Sequence, residues 1–233
     1  MTDLADLTWP DVPSGATLVL PLGATEQHGP HLPLCTDTLV AEAVASRLAE
    51  IVPGLIVAPT LPYGASGEHE TFPGTVSLGT EALTMLLVEY GRSACRWADR
   101  LLLLTGHGGN AEALIAATAQ LRAESRDVAY ASAQPDGVDT HAGRTETSIT
   151  FALQPDLVGP EQRPGATAPL AELLPRIRAG SARDVSPDGV LGDPTGASAA
   201  EGEYLLQRCA EKLAHDFLHW CVGRNGVLVS DYF

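Results

Sequence analysis

Basic residues are scarce in this 233-residue chain: 14 Lys and Arg stand against 29 Asp and Glu, a formal charge of −15 with a pI near 4.7. That balance argues against a nucleic-acid groove or an anionic membrane surface as partner, because both recruit cationic side chains. Cysteine is also sparse. Cys35, Cys95, Cys209 and Cys221 form no CxxC pair, which argues against a disulfide framework and against a zinc ribbon. Cys95 and Cys209 read as buried thiols on helices, and Cys35 as a buried thiol beside a motif. No apolar run approaches the ~18 residues of a membrane span. The acidic N-terminus, MTDLADLTWPDVP, lacks the charge pattern of a signal peptide, so a cytoplasmic location is expected. Aromatics are few, and none of Trp9, Trp97 and Trp220 lies in a motif, which counts against a closed aromatic box around a small ring. There is neither an internal repeat nor a block of like charge.

What is present is an ordinary apolar content of 45% with 18% charged residues, enough for a sizeable core. One domain over residues 1–233 is expected, and 23 Gly with 17 Pro suit an α/β protein rich in loops. Short apolar runs alternate with longer amphipathic ones. Thr17–Leu22, Leu55–Ala58, Arg100–Thr105 and Asp127–Ala133 read as strands. Asp37–Ile51, Glu81–Ala98 and Ala111–Ser125 place apolar residues at helical spacing. Strand–helix alternation implies βαβ crossovers and a mostly parallel sheet, and strands without polar alternation fit a sheet covered on both faces. The stretch Gln154–Thr195 is rich in Pro and Gly and reads as an excursion over the surface, covering the site or meeting a neighbouring subunit. A short helix is expected within it at Ala168–Ala179. A long helix follows over Ala199–Cys221, opened by a Ser198-x-x-Glu201 capping box.

In open parallel sheets, ligands bind at the carboxyl ends of the strands. Three polar clusters fall there: Gly23–Pro33 with Asp37 soon after, Gly106-His107-Gly108-Gly109-Asn110, and His141–Glu146. Glu26, His28, Asp37, His107, His141 and Glu146 are the carboxylates and imidazoles among them, a donor set that suits Zn, Mn or Fe(II). On an extended segment Glu26 and His28 point the same way and can feed one cluster. Each residue also has an ordinary reading. Asp37 has the look of a helix N-cap and Glu146 that of a first-turn glutamate favoured by the helix dipole. The Gly-rich loop could cradle a phosphate, but it lacks the Lys-Ser/Thr of a P-loop and the spacing of a dinucleotide fingerprint. In it His107 reads as a ligand and Asn110 as the cap of the following helix. A fourth segment, Tyr63–Thr75, reads either as a surface loop or as a substrate-lining one, with His69 or Glu68 reaching the site.

Together, Glu26-Gln27-His28-Gly29-Pro30-His31 with Asp37, His69-x-x-Phe72-Pro73-Gly74-Thr75, Gly106-His107-Gly-Gly-Asn110 and His141-Ala-Gly-x-x-Glu146-Thr-Ser resemble the creatininase family of metal-dependent amidohydrolases. The resemblance implies a three-layer α/β/α subunit with a mostly parallel central sheet, and a homo-oligomer, often a hexamer. It implies two divalent metal ions (Zn, Fe(II) or Mn): Glu26 and His107 on one, His28 on the other, Asp37 bridging. Creatininase has a metal-binding glutamate where this chain has Gly109, and Glu146 is the candidate to replace it. His141 and then His69 are the candidates to protonate the leaving nitrogen as water, activated by the metals, hydrolyses a C–N bond. Ser66 and Glu68 are candidates for substrate binding. Segments outside the metal motifs, among them Tyr63–His69, Leu83–Ser93, Thr167–Leu173 and Gly189–Pro194, resemble the branch of the family that acts on a modified precursor peptide. The implied reaction is removal of a modified C-terminal Val-Tyr remnant after a glycine. The alternatives are a family member acting on a small cyclic amide or formamide, and a catalytically silent metal-binding subunit.

Overall fold

The computed structural model describes residues 2–135, 139 and 141–230. In chain order the elements are β1 (Thr2–Asp3), β2 (Ala16–Leu22), α1 (Thr36–Ile51), β3 (Leu55–Val57), α2 (Thr80–Ala94), β4 (Ala98–Thr105), α3 (Ala111–Ala123), β5 (Val128–Ser132), α4 (Arg144–Leu153), α5 (Leu170–Ala179), α6 (Ala182–Val185), α7 (Ala199–His219), β6 (Cys221–Val222) and β7 (Leu228–Val229). The first five strands form one sheet in the order β1-β3-β2-β4-β5, every pairing parallel. β6 and β7 make a separate antiparallel pair.

The strands are apolar throughout because the sheet is covered twice. Successive side chains of a strand point to opposite faces. Leu18, Leu20 and Leu22 of β2, with Leu101 and Leu103 of β4, pack against Leu83 and Leu87 of α2 and Leu114 and Leu121 of α3. Val19, Leu102 and Leu104 pack on the other side against Val40, Val44 and Leu48 of α1, Ile149 of α4, and Leu206, Leu213 and Phe217 of α7. The result is the expected three-layer α/β/α arrangement. Burying each such side chain stabilises the fold by about 1.5–3 kcal/mol.

Chain direction then places the site. From β2 the chain crosses through α1 to β3 on one side, and through α2 to β4 on the other, so the crevice at the β2 and β4 carboxyl ends is a topological switch point. Two glycines let α1 start inside that crevice. A Cβ on Gly23 would sit 2.5 Å from Thr38 Cα, and one on Gly106 only 2.1 Å from the Asp37 carbonyl oxygen. With hydrogen there instead, the first turn of α1 abuts both strand ends and Asp37 is delivered to the crevice.

Several element bounds differ from expectation. α2 stops at Ala94 because Cys95, Arg96 and Trp97 turn the chain, their N–H groups bonding back to Gly91, Ser93 and Ala94. Apolar Trp97 and Ala98 continue the helical pattern, but they serve the core from the turn and from β4. α7 stops at His219, where Trp220 takes a left-handed conformation (φ 46°) and its indole N–H donates to Asp127 at 2.8 Å. Only half of the capping box forms. Ser198 accepts from Glu201 N, while the Glu201 carboxylate turns away to Arg144 (2.8 Å) and Ser148 (3.1 Å). The Pro-rich stretch carries α5 from Leu170, and also α6, a short helix opened by a Ser181–Asp184 capping box. Cys209 is buried, whereas Cys95 and Cys35 are half-buried. No helix among the described residues is long and apolar enough to cross a membrane.

The Gly106→Ala variant should be destabilised by about 1–3 kcal/mol, the range for overpacking a tight contact. Urea unfolding would measure it, and an unchanged midpoint would show that α1 does not lean on the strand ends as described.

Candidate metal centre

The crevice gathers seven ionisable side chains. Glu26 and His28 follow β2, Asp37 stands in the first turn of α1, and His107 follows β4. His69 ends a single 3-10 turn, Gly67–His69. His141 is held by reciprocal main-chain bonds to Leu191, so the returning Pro-rich stretch closes over this side. Glu146 stands in the first turn of α4. All seven are buried, Glu26 and His28 completely.

Their polar atoms converge. His28 Nε2 lies 3.4 Å from Asp37 Oδ1 and 3.7 Å from Glu146 Oε2. His107 lies 3.1 Å from Glu26 Oε2 through Nε2, and 3.4 Å from Asp37 Oδ2 through Nδ1. His69 Nε2 and His141 Nδ1 approach Glu26 Oε1 at 3.6 and 3.7 Å. Three overlapping triads bring ligand atoms within 4.8 Å of one another: Glu26–His28–Asp37, His28–His141–Glu146 and Glu26–His69–His141.

These atoms fit a cation because most have nothing else to bind. Both Glu26 carboxylate oxygens, His28 Nε2 and Asp37 Oδ2 are buried without a hydrogen-bond partner. Native proteins leave few such atoms unsatisfied. The His28 Nδ1–H donates to the Glu26 carbonyl at 3.2 Å, so Nε2 turns a lone pair into the cluster. His107 Nε2 lies 3.1 Å from the Ala65 carbonyl, which can only accept, so Nε2 bears the proton and Nδ1 presents its lone pair beside Asp37. Such outer hydrogen bonds are what orient imidazole ligands.

Charge makes the same point. Burial, opposed by His107 and aided by Asp37, pushes Glu26 up to about 8. Burial, with Asp37 adding, lifts Glu146 to about 7. For His28 burial alone would act downward, but Asp37, Glu146 and Glu26 carry it up to about 10. Burial and neighbouring imidazoles hold His69 down to about 3 and His141 well below its ordinary value. The crevice thus retains protons on Glu26, Glu146 and His28 when no cation offsets them, while Asp37, whose burial is outweighed by His28, is held below its ordinary value and stays ionised.

Glu146 occupies a built seat. Its Oε2 accepts from Ala142 N at 2.6 Å and its Oε1 from the Gln134 amide at 3.0 Å. Ala142 reaches it from a left-handed backbone (φ 51°), a strained conformation for a buried non-glycine residue. At position 109 no side chain fits this arrangement: a Cβ would sit 2.3 Å from His107 Nε2 and 2.6 Å from Glu68 Oε1. The ordinary reading of Asn110 fails, for it makes no cap to α3. Its amide instead ties three segments together, accepting from Ala65 N (2.8 Å) and donating to the Gly23 carbonyl (3.1 Å) and to Thr105 Oγ1 (3.2 Å). Ser66 is wholly buried with Oγ 3.4 Å from His107 Nε2, whereas Glu68, 29% exposed, stands at the rim. Two residues of the crevice had no role assigned from sequence, although both lie inside the first motif. They are His31, whose Nε2 pairs with Thr147 Oγ1 at 2.9 Å, and Gln27. Their only signal is position, next to or near the ligand-type residues.

Residues 5–217 match the family model described as Creatininase: Creatinine amidohydrolase. The chain belongs to the creatininase family. It is 51% identical over 217 residues to a mycofactocin precursor peptide peptidase from Mycolicibacterium smegmatis (strain ATCC 700084 / mc(2)155), covering 91% of this chain and 88% of that protein. A solved creatininase described with Mn superposes with a TM-score of 0.76 at 31% identity, covering 94% of this chain and 97% of that one. A mutant creatininase of the Zn–Zn type gives 0.76 at 31% identity, covering 93% and 96%. Metal-bound relatives therefore share this fold, and as a family member the chain is a hydrolase of C–N bonds. The tryptophans lie away from the centre: Trp9 is exposed, Trp97 packs on the α2–α3 side, and Trp220 meets Phe217 edge to face.

The proton content of the crevice sets a pH dependence. Between pH 6.5 and 8 the folded metal-free protein binds more protons on Glu26, Glu146 and His28, whose values are raised to about 8, 7 and 10, than the unfolded chain does, and the excess is lost as pH rises through those values. When the folded state binds more protons, stability falls as pH rises. His69 and His141, lowered, act oppositely only below about 6.5, the ordinary histidine value. Thermal melts of metal-free protein should therefore drop from pH 6.5 to 8, and added Zn should restore more at pH 8, because metal competes with those protons. Equal melts of metal-free protein at the two pH values would contradict this account.

Proposed function

We propose that this chain is a metal-dependent peptidase that removes the modified C-terminal Val-Tyr remnant from the mycofactocin precursor peptide, after a glycine. The observation that carries the metal chemistry is the set of buried, unpartnered ligand atoms on Glu26, His28 and Asp37. The substrate rests on the likeness to a relative of that name over nine-tenths of the chain.

In this reading Glu26 and His107 hold one divalent ion, His28 and Glu146 a second, and Asp37 stands between them. Zn, Fe(II) and Mn all suit such a donor set. When bound, the ions supply Lewis-acid polarisation of the amide carbonyl and acidify the attacking water. Glu146 supplies the carboxylate that Gly109 cannot, from its seat on Ala142 N and Gln134. His141 carries the proton to the leaving nitrogen, and His69 stands stacked beside it. Glu68 and Ser66 belong to the substrate side, Glu68 from the rim and Ser66 through His107. The enzyme works as a homo-oligomer, a hexamer by family resemblance. Large apolar side chains left exposed on the subunit, among them Trp9, Met85 and Leu218, accord with that.

The assay is mass spectrometry of a cleavage reaction. Metal-stripped protein, restored separately with Zn, Fe(II) or Mn, meets the radical-modified precursor peptide, the unmodified peptide, creatinine and a formamide. Metal-dependent loss of the remnant from the modified peptide alone is expected. Turnover of creatinine or the formamide with the peptide left intact would overturn the substrate. The Asp37→Ala variant should lose metal and activity together, and a metal-replete, active variant would remove Asp37 from its bridging role. His141→Ala should keep its metal and lose about 100-fold or more in turnover, within the range of positioned acid–base groups.

A further inference from the structure

Gln27 is buried between the two histidines that the hydrolytic reading uses. Partners with only one hydrogen-bonding sense fix its orientation. Gly29 N can only donate, and lies 2.8 Å from Oε1. The Gly189 carbonyl can only accept, and lies 3.3 Å from Nε2. The NH2 group therefore faces the histidines. It stands 2.7 Å from His69 Nδ1, so that nitrogen accepts and the His69 proton sits on Nε2, directed at Glu26 Oε1. His141 is held differently. Its Nε2 lies 2.8 Å from the Gln27 main-chain carbonyl, which can only accept, and 3.0 Å from the Gln27 NH2, whose two protons go to His69 Nδ1 and the Gly189 carbonyl; Nε2 therefore donates to the main-chain carbonyl, and Nδ1 turns a lone pair toward the same Glu26 oxygen. The two rings stack with centroids 4.4 Å apart, both protonated on Nε2 but turned opposite ways. Gly189 preserves the arrangement: its φ is +82°, and a Cβ there would sit 2.0 Å from Gln27 Oε1.

We propose that Gln27 is a positioning residue that makes His141 the proton carrier of this site and confines His69 to a neutral hydrogen-bond donor. The assignment of catalytic steps rests on the hydrolytic reading above; the tautomers do not. His141 Nδ1 takes a proton from the attacking water as its oxygen bonds to the carbonyl carbon. The Nε2–H of the resulting imidazolium stays on the Gln27 carbonyl. As the C–N bond breaks, Nδ1 returns the proton to the leaving nitrogen and His141 is neutral again. His69 cannot follow the same course, because a second proton on Nδ1 would have to displace the Gln27 N–H. Its Nε2–H remains available to a substrate oxygen, as neutral imidazoles serve elsewhere. The same proton bars His69 Nε2 from ligating a cation, although Glu26, His69 and His141 stand close enough to enclose one.

The test is long-range proton–nitrogen NMR on protein carrying ¹⁵N-histidine, metal-free and zinc-loaded, with His69 and His141 assigned from single variants. Both should appear as Nε2–H tautomers in the wild type. Gln27→Glu replaces the donor facing His69 with an acceptor, so His69 should move its proton to Nδ1 while His141, held by main chain, does not change. With the modified peptide, Gln27→Glu should lower kcat by about 10- to 100-fold with KM within about twofold. A wild-type His69 protonated on Nδ1, a wild-type His141 protonated on Nδ1, or an unmoved His69 in Gln27→Glu would each overturn the proposal. The wild-type spectrum decides the tautomers even if the variant does not fold. Expected spectra without peptide cleavage would count against the peptidase reading and leave the role of Gln27 standing.

Discussion

Glu26, Asp37 and Glu146 share one water-poor crevice, and their only ion-pair partners among the described residues are histidines. Burying a carboxylate without compensation is prohibitively costly, and burying three together is worse. The rest of the site follows from that constraint. Either protons or cations must offset the charge, and the raised Glu26, Glu146 and His28 describe the proton solution. Arg and Lys would neutralise the carboxylates permanently and leave nothing for a metal. Histidine does not, because each ring keeps one lone pair free while its other nitrogen is tied down. The Glu26 carbonyl and the Ala65 carbonyl tie down His28 and His107.

Holding such a cluster together demands a rigid frame, and the frame is the sheet. Apolar side chains on both faces of β2 and β4 fix the two strand ends that carry Glu26, His28 and His107. Glycines at those ends admit the first turn of α1, and Asn110 bonds the loops after β2, β3 and β4 to one another. The strained Ala142 fits the same picture. Its left-handed backbone aims an N–H at Glu146, a local cost that offsets a carboxylate otherwise exposed to its like-charged neighbours. In the proposed reading this gives a division of labour: the deep side of the crevice would grip cations, and the His69–His141 side, under the returning Pro-rich stretch, would handle protons.

Much of this was legible in the residues. The β2 and β4 runs and the helices α1, α3 and α7 were plain from length and periodicity, because a doubly covered sheet leaves strongly apolar strands. Their ends were less so. Trp97 and Ala98 prolong a helical pattern without being helical, and the Ser198–Glu201 pattern promised a reciprocal cap that Arg144 and Ser148 take half of. The ligand-type residues stood out by chemistry, and the resemblance to the creatininase family grouped them. Asn110 was misread because an Asn before a helix has the same local signature whether it caps the helix or clamps distant loops.

The sequence by itself determined the layer architecture, the family and the roster of carboxylates and imidazoles, since each of these is written in local pattern and residue type. Tertiary structure alone decided how they share the work. Which nitrogen of His107, His69 or His141 bears the proton depends on a main-chain carbonyl or an amide brought up from another segment. Whether Gly109 can be replaced depends on the distance to His107 and Glu68. Whether Glu146 stands beside His28 depends on a strained turn well over a hundred positions further along the chain. Orientation within a hydrogen-bond network is a property of what surrounds a side chain, and the surroundings exist only once the chain has folded.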